Sequence, residues 1–455
     1  MANKRLTDMT TGNATRHLLI FTLPMFLGNL VQQLYNMVDS LVVGNYVGAN
    51  ALAAIGTCAS VNFLFFSLSA GLANGIGVIV SQFFGAHDDR QVRKTIGNSF
   101  YILAFTSLLT AILGILIARP LMQFMGAPAE IINDSVTYLQ TTCCGILFIA
   151  LYNDVAATLR ALGDSRTPLY FLIMSSFVNI ALDLLFVLNF NMGVFGVALA
   201  TVISQAFSAV VSLIYARLKV PYFRLSREEL QPDPAIIRRS FRIGIPISLQ
   251  NSLIAISMMA LQRVVNSFGP TVMAAYTISN KVDLVVSQLY GALSMAVTTF
   301  SGQNIGAGKP DRVREGMRKG MLIVFLYNLV MVPLVYFLSP VLVNAFVSEA
   351  DAAVIEYGAQ ALKITSLCYF FLGCIYVPRA VMNGCGDAAF SMINGITEVV
   401  CRIAFSTLLT SIAAIGVWGI WWASGATWFT VAITVYLRYR SNVWVEKGLV
   451  RRTAQ

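Results

Sequence analysis

The chain has 455 residues, of which 57% are hydrophobic and 11% are charged, and its formal net charge at pH 7 is +10. Soluble domains contain about 45–50% apolar and about 25% charged residues, so this composition excludes a soluble globular domain and indicates a polytopic membrane protein. The two histidines, His17 and His87, and the seven cysteines lack the spacing of a metal centre, a redox motif or a disulfide framework.

Apolar segments long enough to cross a bilayer follow one another along the chain. A spanning helix needs about 20 mostly apolar residues. Only helices and closed barrels satisfy their backbone in lipid, so continuous apolar runs of this length indicate helices. Twelve spans are predicted, at 17–43, 51–83, 95–120, 130–159, 168–190, 193–217, 240–266, 271–303, 319–345, 352–382, 389–411 and 414–438. The predicted fold is an all-α integral membrane protein with twelve transmembrane helices.

The basic residues predict the orientation of these helices. Twenty-six of the 31 Lys and Arg lie in the N-terminal segment, the even-numbered loops and the C-terminal segment. The opposite side carries only Arg119 and Arg263, and three more basic residues fall inside spans: Lys281, Lys363 and Arg402. Loops rich in Lys and Arg stay in the cytoplasm, so we expect a multi-pass protein of the cell membrane with both termini cytoplasmic. The net charge thus reflects topology, and no nucleic-acid partner is expected.

The most polar stretch, 218–239, separates two groups of six spans. We therefore predict an N-lobe at 1–217, a cytoplasmic linker at 218–239, a C-lobe at 240–438 and a cytoplasmic tail at 439–455.

Four sequence blocks repeat between the lobes. The first two pairs share one offset along the chain, and the last two pairs share a slightly larger one. The pairs are 46–54 with 267–275, 81–94 with 302–315, 161–164 with 384–387, and 192–198 with 415–421. Because each lobe has an even number of spans, the repeat is parallel, an architecture typical of transporters with a central cavity.

Several of these blocks carry a resemblance to a known family. They are LPMFLGNLVQQLYNMVDSLVVG (23–44), GNYVGANALAAIG (44–56), SQFFGAHD (81–88), LRALGDSRTPL (159–169) and FVNIALDLLFV…MGVFGVALATVISQ (177–205). With them the chain resembles the multidrug and toxic compound extrusion (MATE) family, closest to the branch that resembles DNA-damage-inducible protein F. The resemblance implies a V-shaped secondary antiporter with two pseudo-symmetric six-helix lobes. Such proteins expel amphipathic, often cationic compounds in exchange for H+ or Na+.

Two carboxylates lie inside predicted spans of the N-lobe. Placing Asp39 or Asp183 at mid-bilayer costs on the order of 2.5–3.5 kcal/mol, which a bound partner has to offset. Asn179, one helical turn before Asp183, and Thr201 add neutral oxygens. Such a set suits a hard cation, and two neighbouring carboxylates also favour a shared proton. The resemblance implies that Asp39, Asn179, Asp183 and Thr201 form an N-lobe cation site. The alternative is that these groups only tie helices together, with Thr201 bonding its own backbone.

Further polar and adaptable side chains have open roles. Tyr138, Asn153 and Asp154 either extend the cation network or serve packing. Aromatic and methionine side chains are candidates for an adaptable cargo cavity, although such residues are also ordinary core residues. The cargo candidates are Tyr35, Met37, Met258 and Tyr290.

The C-lobe differs in its polar groups. Glu398 and Arg402 are four residues apart and can pair on one helix face. Under the offset of the last two repeated pairs, Arg402 falls on the position of Asn179, where a built-in cation would compete with a bound one. Whether Lys281, Asp283, Glu398 or Arg402 takes part in transport stays open.

A cation-coupled efflux transporter is the leading interpretation. A lipid-linked glycan or lipid flippase of the same superfamily is the nearest alternative, and an integral-membrane transferase is the third. The chain has neither a paired-aspartate D-D-x-x-D motif nor a G-x-x-x-x-G-K-[ST] loop, so we expect no enzymatic activity and no direct use of ATP. We further expect no cofactor, H+ or Na+ as the coupling ion, small amphipathic molecules and the bilayer as partners, and a monomer.

Overall fold

The computed structural model describes residues 6–346 and 352–448, and its secondary structure there is helical throughout. Its helices are α1 (Ala14–Val42), α2 (Ala49–Gly85), α3 (Asp89–Phe124), α4 (Ile132–Cys144), α5 (Ile146–Ala161), α6 (Arg166–Leu184), α7 (Gly193–Lys219), α8 (Pro234–Asn266), α9 (Pro270–Gly306), α10 (Pro310–Asn344), α11 (Ala352–Gly384), α12 (Ala388–Ser411), α13 (Gly419–Arg440) and α14 (Val443–Glu446). Four basic residues used to predict topology, Lys4, Arg5, Arg451 and Arg452, lie outside the described residues.

The predicted all-α membrane fold is confirmed. Eleven helices of the described chain are long and apolar enough to cross a membrane, and the number rises to 12 when the bent pair α4 and α5 counts as one span. Most helices extend beyond their apolar runs. α3 begins at Asp89 and α10 at Pro310, because charged loop residues continue the helix where hydropathy has already ended.

The span predicted at 130–159 is broken into two helices. The segment consists of α4 and α5, which meet at Gly145 with a bend of 47°. A side chain at this glycine would place its Cβ 2.6 Å from Cγ2 of Val202 on α7. The break thus lies where α7 packs directly against the backbone of this segment. The hydropathy of one segment does not reveal such a contact with a distant helix.

The chain packs as two compact units. Among the described residues, unit 1 contains 6–8 together with Leu23–Ser248, and unit 2 contains Met9–Thr22 together with the residues from Leu249 onward. The boundaries therefore fall inside α1 and α8. Pro24 and Pro246 lie within two residues of these two boundaries. Proline removes a helical hydrogen bond and permits bending, so each of these helices changes units beside a weak point in its backbone.

The two units repeat the same turns in the same order. Residues with left-handed backbone recur at the offsets of the sequence repeat, which confirms its register in three dimensions. Their φ angles pair as follows: Gly48 117° with Gly269 89°, His87 57° with Gly308 69°, Gly163 87° with Gly386 91°, and Gly193 56° with Gly416 52°.

In unit 1, the repeated basic loop and the first turns of α3 that follow it hold the segment that leads into α8. Lys94 Nζ lies 2.7 Å from Oδ2 of Asp233, and Arg93 pairs with Glu229 at 3.6 Å. The backbone N–H of Asp233 also donates to Oδ1 of Asn98 at 2.7 Å. The hydrogen bond from Lys94 holds the pKa of Asp233 below its usual value. These contacts give the charged loop a structural role in attaching the connecting segment 220–233.

In unit 2, the equivalent loop before α10 holds the segment that leads into α1. Lys309 Nζ donates to the carbonyl of Thr10 at 3.0 Å, and Arg312 Nη2 donates to the carbonyl of Met9 at 3.2 Å. The backbone N–H of Met9 in turn donates to Oε1 of Gln303 at 2.8 Å. Both copies of the repeated loop therefore fasten the chain that enters a unit-changing helix.

Candidate functional site

The two intramembrane aspartates of unit 1 lie at equivalent places on two different helices. Asp39 is in the last turn of α1, and Asp183 is in the last turn of α6. Each helix then continues for five residues as a π-helical turn, Val43–Val47 and Leu185–Asn189, and the two π-turns pack against each other. Such turns are rare in proteins as a whole, but those that occur are frequently found at functional sites. The carboxylates thus approach each other beside paired irregularities in the helices.

The carboxyl groups of Asp39 and Asp183 lie within hydrogen-bonding reach of each other. Asp183 is 1% exposed. Asp39 is half-buried, and its buried Oδ1 receives no hydrogen bond from any described residue. Two carboxylates this close repel strongly unless a proton or another cation lies between them. The pair therefore has the chemistry of a site that binds one positive charge.

Two further helices, α4 and α7, and the preceding turns of α1 and α6 bring polar groups to this pair. Tyr138 on α4 is buried and lies close enough to both aspartates to interact electrostatically. Tyr35, one turn before Asp39, hydrogen-bonds with Thr201 on α7. Thr201 also donates to the backbone carbonyl of Val197 at 3.1 Å, as the packing alternative predicted. Asn179, one turn before Asp183, is 1% exposed.

The structure therefore collects the candidate site from α1, α4, α6 and α7, all within unit 1. The resulting ligand set consists of oxygens with one nitrogen-bearing amide, which suits a hard monovalent cation or a proton. The described residues contain no group of three or more His, Cys, Asp or Glu side chains that is able to hold a metal ion. Reasoning from sequence assigned Tyr35 to the cargo cavity and missed its contact with Thr201, because only the folded structure places α7 beside α1.

The other polar pair of unit 1 has a different neighbour. Asp154 on α5 is fully buried, and its Oδ2 accepts a hydrogen bond of 2.6 Å from Oγ of Ser99 on α3. Asn153 is half-buried. In the part of the chain that the structure describes, no hydrogen bond joins either residue to the Asp39 and Asp183 pair. Asp154 is therefore placed at the contact of α3 with α5.

The candidate cargo residues differ in their exposure. Met37 is 61% exposed and Met258 is 48% exposed, so both offer surface to a lipid or a ligand. Tyr290 is fully buried in unit 2, where its hydroxyl donates to Oδ1 of Asn328 at 2.8 Å and its ring packs against Tyr327. Tyr290 thus contributes to the core of unit 2 and presents no surface to a cargo in this structure.

The charged residues of unit 2 form separate contacts. Oδ1 of Asp283 accepts hydrogen bonds from Tyr369 at 2.5 Å and from Thr365 at 3.2 Å. Lys281 lies against the ring of a neighbouring phenylalanine, 5.6 Å from its centroid. The predicted pairing of Glu398 with Arg402 is confirmed at 2.8 Å.

Comparisons with known proteins place the chain among transporters. A family model described as MatE matches residues 24–185 and, a second time, residues 246–408. The Bacillus subtilis "Probable multidrug resistance protein YpnP" is 32% identical over 445 residues, covering 96% of this chain and 97% of that protein. The Thermotoga maritima "Probable multidrug resistance protein NorM" is 23% identical over 442 residues, covering 96% and 94%.

Solved structures resemble the whole fold. A structure described as the "Outward-facing conformation of a multidrug resistance MATE family transporter of the MOP superfamily" has a TM-score of 0.91 at 22% identity, covering 98% of this chain and 100% of that one. A MOP superfamily transporter from Pyrococcus furiosus has a TM-score of 0.90 at 22% identity, covering 97% and 98%. At this identity the likeness establishes the fold.

Proposed function

The chain belongs to the MatE family, and on that premise we propose that it is a secondary active exporter of amphipathic, often cationic compounds. It exchanges its cargo for H+ or Na+ by alternating access. Support comes from the family membership and from the curated relatives, which are named for multidrug resistance. In this proposal the chain lies in the cell membrane with both termini in the cytoplasm, works as a monomer, and needs no cofactor.

One observation carries the proposal: two carboxyl groups within hydrogen-bonding reach of each other, in the apolar interior of unit 1. Buried like charges are costly, so the pair is stable only with a proton or cation bound. A site that requires a positive charge, and can be reached by ions in turn from each side, provides the coupling that an antiporter needs.

Each residue has a distinct part in this exchange. Asp39 and Asp183 hold the coupling ion, while Asn179 and Thr201 supply neutral oxygens that complete its shell. Tyr35 and Tyr138 lie close enough to both carboxyl groups to interact with them electrostatically, and Tyr35 also connects α1 to α7 through its hydrogen bond with Thr201.

Coupling follows from differential affinity. The occupied pair is neutral or singly charged and permits close packing of α1 against α6, whereas the empty pair repels. Binding and release of the ion therefore bias the helices between two arrangements, and a cargo that prefers the ion-free arrangement is expelled by the ion gradient.

Dye efflux from proteoliposomes tests this proposal. The purified protein is reconstituted without ATP, loaded with a fluorescent cationic dye, and given a defined pH or Na+ gradient. We expect efflux that follows the imposed gradient and stops when an ionophore collapses it. Asp39→Asn and Asp183→Asn are each expected to slow gradient-driven efflux at a given ion concentration, because the ion binds more weakly. Efflux that requires ATP and ignores both gradients would refute the proposal, and so would full activity of both variants.

A further inference from the structure

Unit 2 contains a counterpart of the cation site, and its register is fixed by the backbone. Gly163 and Gly386 precede α6 and α12, while Gly193 and Gly416 precede α7 and α13, and both glycine pairs share one offset and matching left-handed φ. The same offset places Arg402 at the position of Asn179 and Ser424 at the position of Thr201. The offset places Ser406 at the position of Asp183, so the acidic group of unit 2 comes instead from Glu398, one turn before Arg402.

The three side chains at these places meet in the structure. Arg402 Nη2 donates to Oε1 of Glu398 at 2.8 Å, and Nη1 lies 3.5 Å from Oγ of Ser424 on α13. Arg402 is 4% exposed and Glu398 is 6% exposed. The guanidinium therefore contacts a buried carboxylate and a hydroxyl, the two kinds of group that surround the cation position in unit 1.

From this arrangement we propose that Arg402 is a fixed cation that permanently fills the unit 2 counterpart of the cation site. The inference rests on the proposed function of unit 1. An exchangeable ion drives a conformational change only because it leaves in one state and binds in the other. A covalently attached guanidinium cannot leave, so Glu398 stays neutralised throughout the cycle. The transporter exchanges its coupling ion through unit 1 alone, although both units derive from one repeat.

Two other charged residues lie near this ion pair. Asp283, which like Arg402 lies close to Tyr276 on α9, is the other acid near Arg402, but its Oδ1 already accepts hydrogen bonds from two hydroxyls of α11. Arg379 on α11 lies against the ring of Tyr376, 4.8 Å from its centroid. Within the described residues, the ion pair of Glu398 is the one with Arg402.

The test counts exchangeable cations per protein molecule. Purified protein in detergent is titrated for bound radioactive Na+, and for proton uptake in weakly buffered solution. Arg402→Met removes the guanidinium and leaves the buried Glu398 carboxylate, so we expect one additional proton or Na+ per molecule relative to the parent chain. Arg402→Lys retains a fixed positive charge and is expected to keep the parent count. An unchanged count in Arg402→Met would overturn the proposal.

A second variant covers the case in which Arg402→Met does not fold. Glu398→Gln/Arg402→Met replaces the ion pair by two neutral side chains, a change that buried pairs often tolerate. We expect this variant to bind the parent number of cations and to keep the parent coupling. A loss of one cation would overturn the proposal, because Glu398 would then be an exchangeable site.

The unit 1 site is tested separately by counting the cations that Asp183→Asn binds per molecule. If this variant and the parent chain bind equal numbers of cations, the proposed function fails. The proposal for unit 2 is tested independently, by the difference in bound cations per molecule between Arg402→Met and the parent chain.

Discussion

Replacing Asp183 with asparagine is expected to lower the affinity for the coupling ion more than it lowers the stability of the folded protein. The carboxyl group is buried, faces the carboxyl of Asp39, and lies beside the paired π-helical turns. A hydrogen bond or contact that involves a charged group contributes about 1.5–3 kcal/mol. Because about 1.4 kcal/mol changes an equilibrium constant tenfold, the ion concentration that gives half-maximal efflux should rise roughly 10- to 100-fold.

The assay measures initial rates of dye efflux from proteoliposomes at saturating dye, over a series of H+ and Na+ concentrations. Asp154→Asn is the matched control, because Asp154 is also a fully buried carboxyl of unit 1 but is bonded by Ser99. Its half-maximal ion concentration should stay within about twofold of the parent value. The reasoning is refuted if Asp183→Asn leaves this concentration unchanged, or if both variants shift it equally.

Three further predictions concern the surroundings of the site and the fold. Tyr138→Phe removes one hydroxyl near the carboxyl pair and should raise the half-maximal ion concentration roughly two- to tenfold in the same assay, whereas no change would remove Tyr138 from the site. Gly75→Ala places a Cβ 2.6 Å from the backbone of Gly244 and should lower the free energy of unfolding by about 1–3 kcal/mol, which is measured as a lower thermal midpoint. Gly56→Ala is the control on the same helix, because a Cβ there has nothing within 4 Å, and it should not lower the thermal midpoint. The folded pKa of Asp233 is lowered, so its pairing with Lys94 stabilises the segment 220–233 above about pH 4 and this stabilisation is lost as the pH falls further. The protection of this segment against hydrogen exchange, measured relative to the intrinsic exchange rate at each pH, should therefore fall between about pH 5 and 3, and equal protection at both would contradict the assignment.

The positions of the helices and of the carboxyl pair followed from the sequence for clear physical reasons. A bilayer requires long apolar helices, so hydropathy alone located the spans. An intramembrane carboxylate requires a partner. The expectation that Asp39 and Asp183 belong together came from their shared environment and from the family resemblance, and the structure places them within reach of each other.

The remaining features depend on contacts between distant segments. The break at Gly145 is set by Val202 on α7, and the partner of Asp154 is a serine on α3 whose sequence surroundings indicate only ordinary helix packing. The π-helical turns after Asp39 and Asp183 have no signature in the local composition. Likewise, the passage of α1 and α8 from one unit to the other is defined by what each half of the helix packs against.

Release of an ion on cargo binding tests the central claim most directly. A cationic dye is added to the purified protein, and the protons released into weakly buffered solution and the radioactive Na+ displaced are counted for each dye bound. We expect about one cation released per dye by the parent chain, and none by Asp39→Asn/Asp183→Asn. Dye that binds the parent chain with unchanged affinity at every H+ and Na+ concentration, releasing neither ion, would contradict it.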